Sequence, residues 1–482
     1  MTERHHDEPA IVWFRNDLRV ADNPALAKAA QRDGPVIPLY VFEEGDEAPR
    51  RPGAAQKWFQ HHALAGLASR LASLGSTLVV RKGEAGAILD ALIAETGARN
   101  VFWNRRHEPA GVATDRAIKT SLEKRGISVT SCQANLLHEP STFLTTSKGP
   151  YRVYTPFWNA LERQGEPRAP LPAPNKVRPH TSALASEAID DLGLLPGKPD
   201  WSGGLRETWQ ADEDGAAERM SAFLPHGMDG YAEGRDRPTA DHVSCLSPYL
   251  RWGVVSPFQL WHAARHAGAP EHDAQKFLKE LAWREFCHHL AFHFPGLAWQ
   301  NFNERFDEFP WRGNSEHLGA WKRGMTGYPL VDAGMRELWR TGYMHNRVRM
   351  VVASFLVKHL MVHWRVGEAW FWDTLVDGDP ASNPANWQWV AGSGADAAPF
   401  FRIFNPVAQG TRFDRNGAYV RKWVPEIAAL PDRYLHAPWQ APAETLAEHG
   451  IELGKTYPAP VVEHTGARER ALAAFSEMGK HG

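Results

Sequence analysis

Five short runs of β-branched and aromatic residues, at 11–14, 36–42, 77–80, 101–103 and 127–130, place the tightest constraint on how this chain folds. Roughly 25 to 40 residues separate most of them, as a repeating strand–helix unit requires. The intervening segments 54–74, 87–96 and 112–125 carry apolar residues at helical spacing, and Gly75 and Gly126 follow two of them as helix stops. The pattern predicts an α/β domain built on a parallel, Rossmann-like doubly wound sheet with helices on both faces. No GxGxxG or GxxxxGK[ST] follows a strand, so the domain is nucleotide-binding in shape without the usual phosphate loop. An accessory-ligand or structural role is expected there.

Prolines 167, 170, 172, 174 and 179 break any regular element after residue 165 and predict a long surface linker. Beyond about residue 205 the spacing turns helical, with helices expected at 274–294, 331–341, 344–362 and 367–375. The expected organisation is 1–134 α/β, 135–204 linker and 205–482 all-α.

The formal net charge is −2, so contact with nucleic acid must come from a local basic patch. Three scattered cysteines supply neither a disulfide framework nor a cysteine metal site. No apolar run is long enough to span a bilayer and the first residues carry no secretory pattern, so a cytoplasmic, nucleoid-associated protein is expected. Twenty tryptophans are the unusual count; core packing explains most of them, and stacking or redox chemistry could use several.

Several clusters could carry chemistry. Asn346, Arg349 and Met350 share a helix face at i, i+3 and i+4. Glu280, Trp283, Arg284 and Cys287 share another, where Glu280–Arg284 reads as a helix ion pair. Asp377-Gly378-Asp379 forms a turn with two carboxylates before Asn383; a metal there lacks a third oxygen ligand. Ser244 and Ser247 suit phosphate binding or plain helix capping near 247–256. His359 and His363 lie four apart, yet without the HExxH glutamate or a third ligand, so no metal is expected.

Taken together these pieces resemble the photolyase/cryptochrome flavoproteins. The stretch Trp13-Phe14-Arg15-Asn16-Asp17-Leu18-Arg19 with Asp22-Asn23-Pro24 is similar to that family's opening strand and turn. Trp283-Arg284-Glu285-Phe286, Thr326-Gly327-Tyr328-Pro329, Met344-His345-Asn346-Arg347, Asp377-Gly378-Asp379 and Phe401-Arg402-Ile403-Phe404-Asn405-Pro406 follow in the family's order. The resemblance implies an antenna-binding first domain and FAD held in a U shape by the helical domain. Tyr231, Ser244, Leu246 and Ser247 would hold the phosphates and nearby groups. Phe277, Glu280 and Arg284 would line the flavin cavity. Asp377 and Asp379 would take the ring or ribitol side, with Arg349 pairing Asp377, and Asn383 would face flavin N5. Val243 stands where the family's phosphate loop usually has Thr, and Phe277 where some members have Trp.

Asn383 and the run Asn346-Arg347-x-Arg349-Met350 resemble the cyclobutane-dimer photolyases. The implied activity is blue-light repair of pyrimidine dimers in UV-damaged DNA, by one electron from reduced FAD to a flipped-out lesion. The alternatives are a cryptochrome-type photoreceptor, for which a long tail would be usual, and a (6-4) photolyase. Glu280 and Asn346 would hydrogen-bond the dimer. Trp283 and Trp389 would pack on it, and Met350 would close the pocket. Arg235 and Arg347 would engage backbone phosphates. Trp387, Trp364 and Trp311 match the family's electron relay to the flavin. The implied antenna is methenyltetrahydrofolate, with a deazaflavin second. Ala110 and Gly111 stand where well-known folate-binding members place Asn and Glu. A monomer is expected.

Overall fold

The computed structural model describes residues 8–43, 50–239, 241–396 and 401–478. They form two compact units: 1–229 with 244–295, and 230–243 with 296–482. These units cut the chain at points other than 134 and 204.

In the first unit, β1 (Ala10–Phe14), β2 (Val36–Glu43), β3 (Val79–Gly83), β4 (Asn100–Asn104) and β5 (Ser128–Cys132) make a parallel sheet of order β3-β2-β1-β4-β5. The helices α1 (Pro24–Ala30), α2 (Ala54–Ser73), α3 (Ala85–Thr96) and α4 (Pro109–Lys124) connect the strands. Because parallel crossovers are right-handed, running outward on both sides of β1 puts helices on both faces. That explains why all five residues of β1 are buried. The third strand lies two residues later than its apolar run suggests.

Local signals account for the joins. Asn23 caps α1, accepting a bond from the Leu26 amide at 3.0 Å, and Pro24 opens the helix. The Arg15–Asn23 turn is a buried polar network. Arg15 donates to the Asn104 carbonyl at 2.6 Å and to Asp115 at 2.9 Å, and Asn104 donates to Asp17 at 2.6 Å. Arg19 donates to the Gly253 carbonyl at 2.8 Å. The opening motif therefore holds the strand ends together.

The proline-rich stretch does not run freely over the surface. Val177 is buried, its amide donates to the Leu74 carbonyl at 2.9 Å, and Val36 bridges Pro179. Backbone groups that find partners in the domain keep an irregular segment docked.

The second unit is helical. Its core gathers Trp321, Val348, Val352, Leu356, Trp364 and Trp387. Gly327 has φ +78, and a Cβ there would meet Ala459 and Pro460 at 2.6 Å. Buried Asp332 accepts bonds from the Thr326 amide at 2.7 Å and the Tyr457 hydroxyl at 2.7 Å. Those contacts explain the Thr-Gly-Tyr-Pro run. The helix expected over 344–362 is not continuous. It is α-helical over Asn346–Ser354 and then a π-helical turn, Phe355–His359, in which the Leu360 amide reaches back to the Phe355 carbonyl at 3.1 Å. No helix among the described residues is long and apolar enough to cross a membrane.

Candidate functional site

In the second unit the sequence candidates converge on three consecutive helices, Asn346–Ser354, Trp364–Thr374 and Ser382–Ala391. Arg349 donates to Asp377 at 2.9 Å and, through Nε, to the Met344 carbonyl at 2.6 Å, so the expected pair is formed. Burial works against the Arg349 charge, but Asp377 beside it raises its pKa. Asp379 is buried just ahead of the last of the three helices, accepting bonds from the Ala381 and Ser382 amides at 2.9 and 2.6 Å. Asn383 is buried, and its amide nitrogen donates to the Glu368 carbonyl at 3.1 Å and to Glu368 Oε1 at 2.8 Å.

Asn346 occupies the first turn of its helix and is exposed, while Arg349 and Met350 on the same face are half-buried. This face is open, unlike the buried face of Val348, Val351 and Val352, so the candidate polar groups do not enter a sealed core. His345 caps the helix, its Nδ1 accepting from the Arg347 amide at 3.1 Å. Arg347 donates to Asp236 at 2.6 Å and lies over the Phe413 ring at 4.4 Å. Tyr231 is buried beside Arg235, whose guanidinium lies 5.8 Å from the Tyr231 ring centre.

The three tryptophans expected to form a relay belong to this unit. Trp387 is buried against Gly367, where a Cβ would meet its ring at 2.1 Å, and lies 5.0 Å from Phe371. Trp364 is fully buried and donates to Asn301 at 2.8 Å. Trp311 is half-buried and packs on Phe309 at 4.5 Å. Trp389, two residues on from Trp387 and so on the other side of the helix, is half-buried.

Behind the Asn346 turn sits Glu337, which sequence reasoning missed. It accepts from the Tyr419 hydroxyl at 2.6 Å and the His345 amide at 3.4 Å. Burial pushes its carboxyl up to about 7, against the lowering by those bonds and by the Arg349 and Lys422 charges. Its folded value lies above the ordinary 4.5, so the folded state binds the proton more tightly. That contribution is fully present below pH 4.5, declines as the pH rises, and is lost above about pH 7. Glu337→Gln should therefore flatten the pH dependence of stability across this window by about 2–3 kcal/mol. Denaturant unfolding of both proteins at the two ends of the window checks it; parallel curves would refute it.

The first unit holds the other candidates, on the helix Glu271–His293 and at Ser244–Ser247. The expected Glu280–Arg284 ion pair is not made. Glu280 pairs with Lys276 at 3.0 Å, and Arg284 donates to the Asn135 carbonyl at 2.9 Å and to Glu285 at 3.1 Å. Trp283 stacks on Tyr154 with ring centres 3.7 Å apart and planes within 5°. Phe277 is buried and packs on Phe223 at 5.5 Å. Glu285, also missed, is fully buried and accepts from the Leu137 amide at 2.7 Å and from His138 at 3.0 Å. Leu246 is buried, and Ser247 begins the short helix Ser247–Arg251. Ser256 heads the next helix in a capping box with Gln259, the capping role weighed for this region.

A separate cleft of about 260 Å³ opens at the carboxyl ends of the strands, where open α/β sheets bind ligands. Its lining includes Arg15, Lys57, Lys82, Arg106, Arg251, Glu43 and Trp252, with cations in excess. A Cβ at Gly111 would meet Glu108 at 2.5 Å and Arg106 at 2.9 Å. The Glu108 and Arg106 side chains thus lie over position 111, and a larger residue there would have to displace them.

A doubly wound sheet unit followed by a helical unit bearing this Arg–Asp–Asn set defines the photolyase/cryptochrome class, and the chain belongs to that family. The family model "DNA photolyase" matches residues 10–175, and "FAD binding domain of DNA photolyase" matches residues 277–477. The chain is similar to a deoxyribodipyrimidine photo-lyase of Agrobacterium fabrum, 53% identical over 98% of each chain. It is also 36% identical to the Arabidopsis thaliana protein Cryptochrome-2, over 98% of this chain and 79% of that one. Among solved structures, a bacterial class III photolyase from Agrobacterium tumefaciens matches with a TM-score of 0.95 and 53% identity, covering 98% of each chain.

Proposed function

We propose that this chain repairs cyclobutane pyrimidine dimers in UV-damaged DNA with blue light. The observation that carries the reading is Asn383, a neutral buried amide whose nitrogen is committed to Glu368 at two points. Its carbonyl oxygen is thereby the group offered to a ligand, and it suits the N5–H of a reduced flavin. The Arg349 guanidinium, held by Asp377, suits the negative charge of that ring. The donor set fits FAD, which when reduced and excited supplies the one electron that opens the dimer.

Tyr231, Ser244, Leu246 and Ser247 bind the phosphate side of the cofactor, while Phe277, Arg284 and Asp379 complete its surroundings. Glu280 and Asn346 hydrogen-bond the lesion bases and favour the charge that develops there. Trp283, Trp389 and Met350 pack against the flipped dimer. Arg235 and Arg347 hold the flanking phosphates, Arg347 exchanging Asp236 for a phosphate oxygen. Trp387, Trp364 and Trp311 recharge the enzyme. The cationic cleft of the first unit takes the antenna, methenyltetrahydrofolate in preference to a deazaflavin, because a folate's carboxylates match its lining. The protein acts as a monomer at the nucleoid.

Blue-light illumination of the reduced holoprotein with a dimer-containing duplex, beside a dark control, tests the reading. Intact thymine absorbance should return only in the light. No return, with FAD bound and reducible, would exclude it. Glu280→Ala should lower the repair yield about 10- to 100-fold while changing DNA affinity little. A collapse of binding with the yield intact would reassign Glu280 to DNA binding.

A further inference from the structure

We propose that His363 is a positioning residue of the electron relay, its imidazole filling and bridging the gap between Trp311 and Trp364. The inference rests on the relay reading above. The imidazole centre lies 4.9 Å from the Trp311 ring and 5.6 Å from the Trp364 ring. The imidazole is thus in ring contact with both indoles, which gives an electron passing between them an aromatic path.

The same side chain has a second, separable job. Its Nδ1 accepts from the Arg365 amide at 3.1 Å and so caps the helix Trp364–Thr374. That bond fixes the tautomer, with the ring proton on Nε2. Burial and the Arg365 charge push the imidazole down to about 4, with Asp307 opposing, so the ring is uncharged at neutral pH. A neutral ring does not repel the positive charge that passes along the relay.

The step balances simply. One electron leaves Trp311 and fills the vacancy on oxidised Trp364. Trp311 ends as the oxidised residue, His363 is neither oxidised nor reduced, and no bond is made or broken.

Two substitutions separate bridging from capping. His363→Phe keeps an aromatic ring and loses the cap. His363→Asn keeps a capping oxygen and loses the ring. The FAD-loaded oxidised protein would be flashed with blue light and the appearance of the Trp311 radical followed by transient absorption, with thermal unfolding measured alongside. Bridging predicts that Asn slows the radical's appearance about tenfold with nearly unchanged unfolding, while Phe stays within about twofold and unfolds earlier. A wild-type rate in the Asn variant, or equal slowing in both, would overturn it. Trp311→Phe is the control. If it leaves the radical kinetics unchanged, the relay reading itself fails and this proposal falls with it.

Discussion

Trp387→Phe should yield an enzyme that repairs when supplied reduced and cannot recharge itself. Benzene is far harder to oxidise than indole, so photoreduction of the oxidised holoprotein should fall about 100-fold or more, equivalent to about 2.7 kcal/mol on that barrier. The substitution is tolerable sterically. Trp387 packs against Gly367 and Phe371 on a face that a smaller ring still covers in part. Flavin bleaching under blue light with an external reductant measures the loss, and repair by pre-reduced protein measures what remains. Loss of both would make Trp387 part of the repair site and not merely of the relay.

Glu285→Ala should be the most damaging single change outside the ligand-facing residues. Burial pushes the Glu285 carboxyl up, yet the His138 bond and the His138 and Arg284 charges more than offset this, leaving its pKa lowered. Removing it strands the Leu137 amide and His138 in a buried setting and takes from Arg284 its carboxylate partner. The cost of breaking such a buried pair is about 3–5 kcal/mol. The unfolding midpoint of the variant should drop by roughly 10 °C. A shift of only a degree or two would mean that water reaches and rescues the site.

The strands were legible because a parallel sheet buried on both faces demands unbroken apolar runs, and β1 shows one from Ala10 to Phe14. The pairing of Arg349 with Asp377 came from resemblance, since 28 residues separate them and no local rule joins them. Glu285 was hidden for the same reason: its partners lie near residue 138, and only folding brings them to it. The Glu280–Arg284 pair was misread because helix spacing favoured Glu280, whereas the Asn135 carbonyl offered Arg284 a part-buried acceptor that a surface ion pair cannot match. The Arg347–Asp236 contact and the docking of Val177 are likewise long-range. The π-helical turn was invisible because 350–362 is apolar nearly all round, which leaves no polar stripe to mark a change of phase.

That turn sets an angle. Each residue of an α-helix advances the chain by about 100°, so one residue more or less in Phe355–His359 re-aims Lys358 and His359 relative to Asn346 and Met350. Before it lie Asn346 and Met350; after it the chain leaves the helix over 360–363, with Met361 at φ +54, before the helix that begins at Trp364. Inside it, Lys358 reaches the Ala391 carbonyl at 2.9 Å and is buried. A one-residue deletion here would be a gearing error: the helix before the turn could stay well packed locally, while Lys358 swung away from the Ala391 carbonyl.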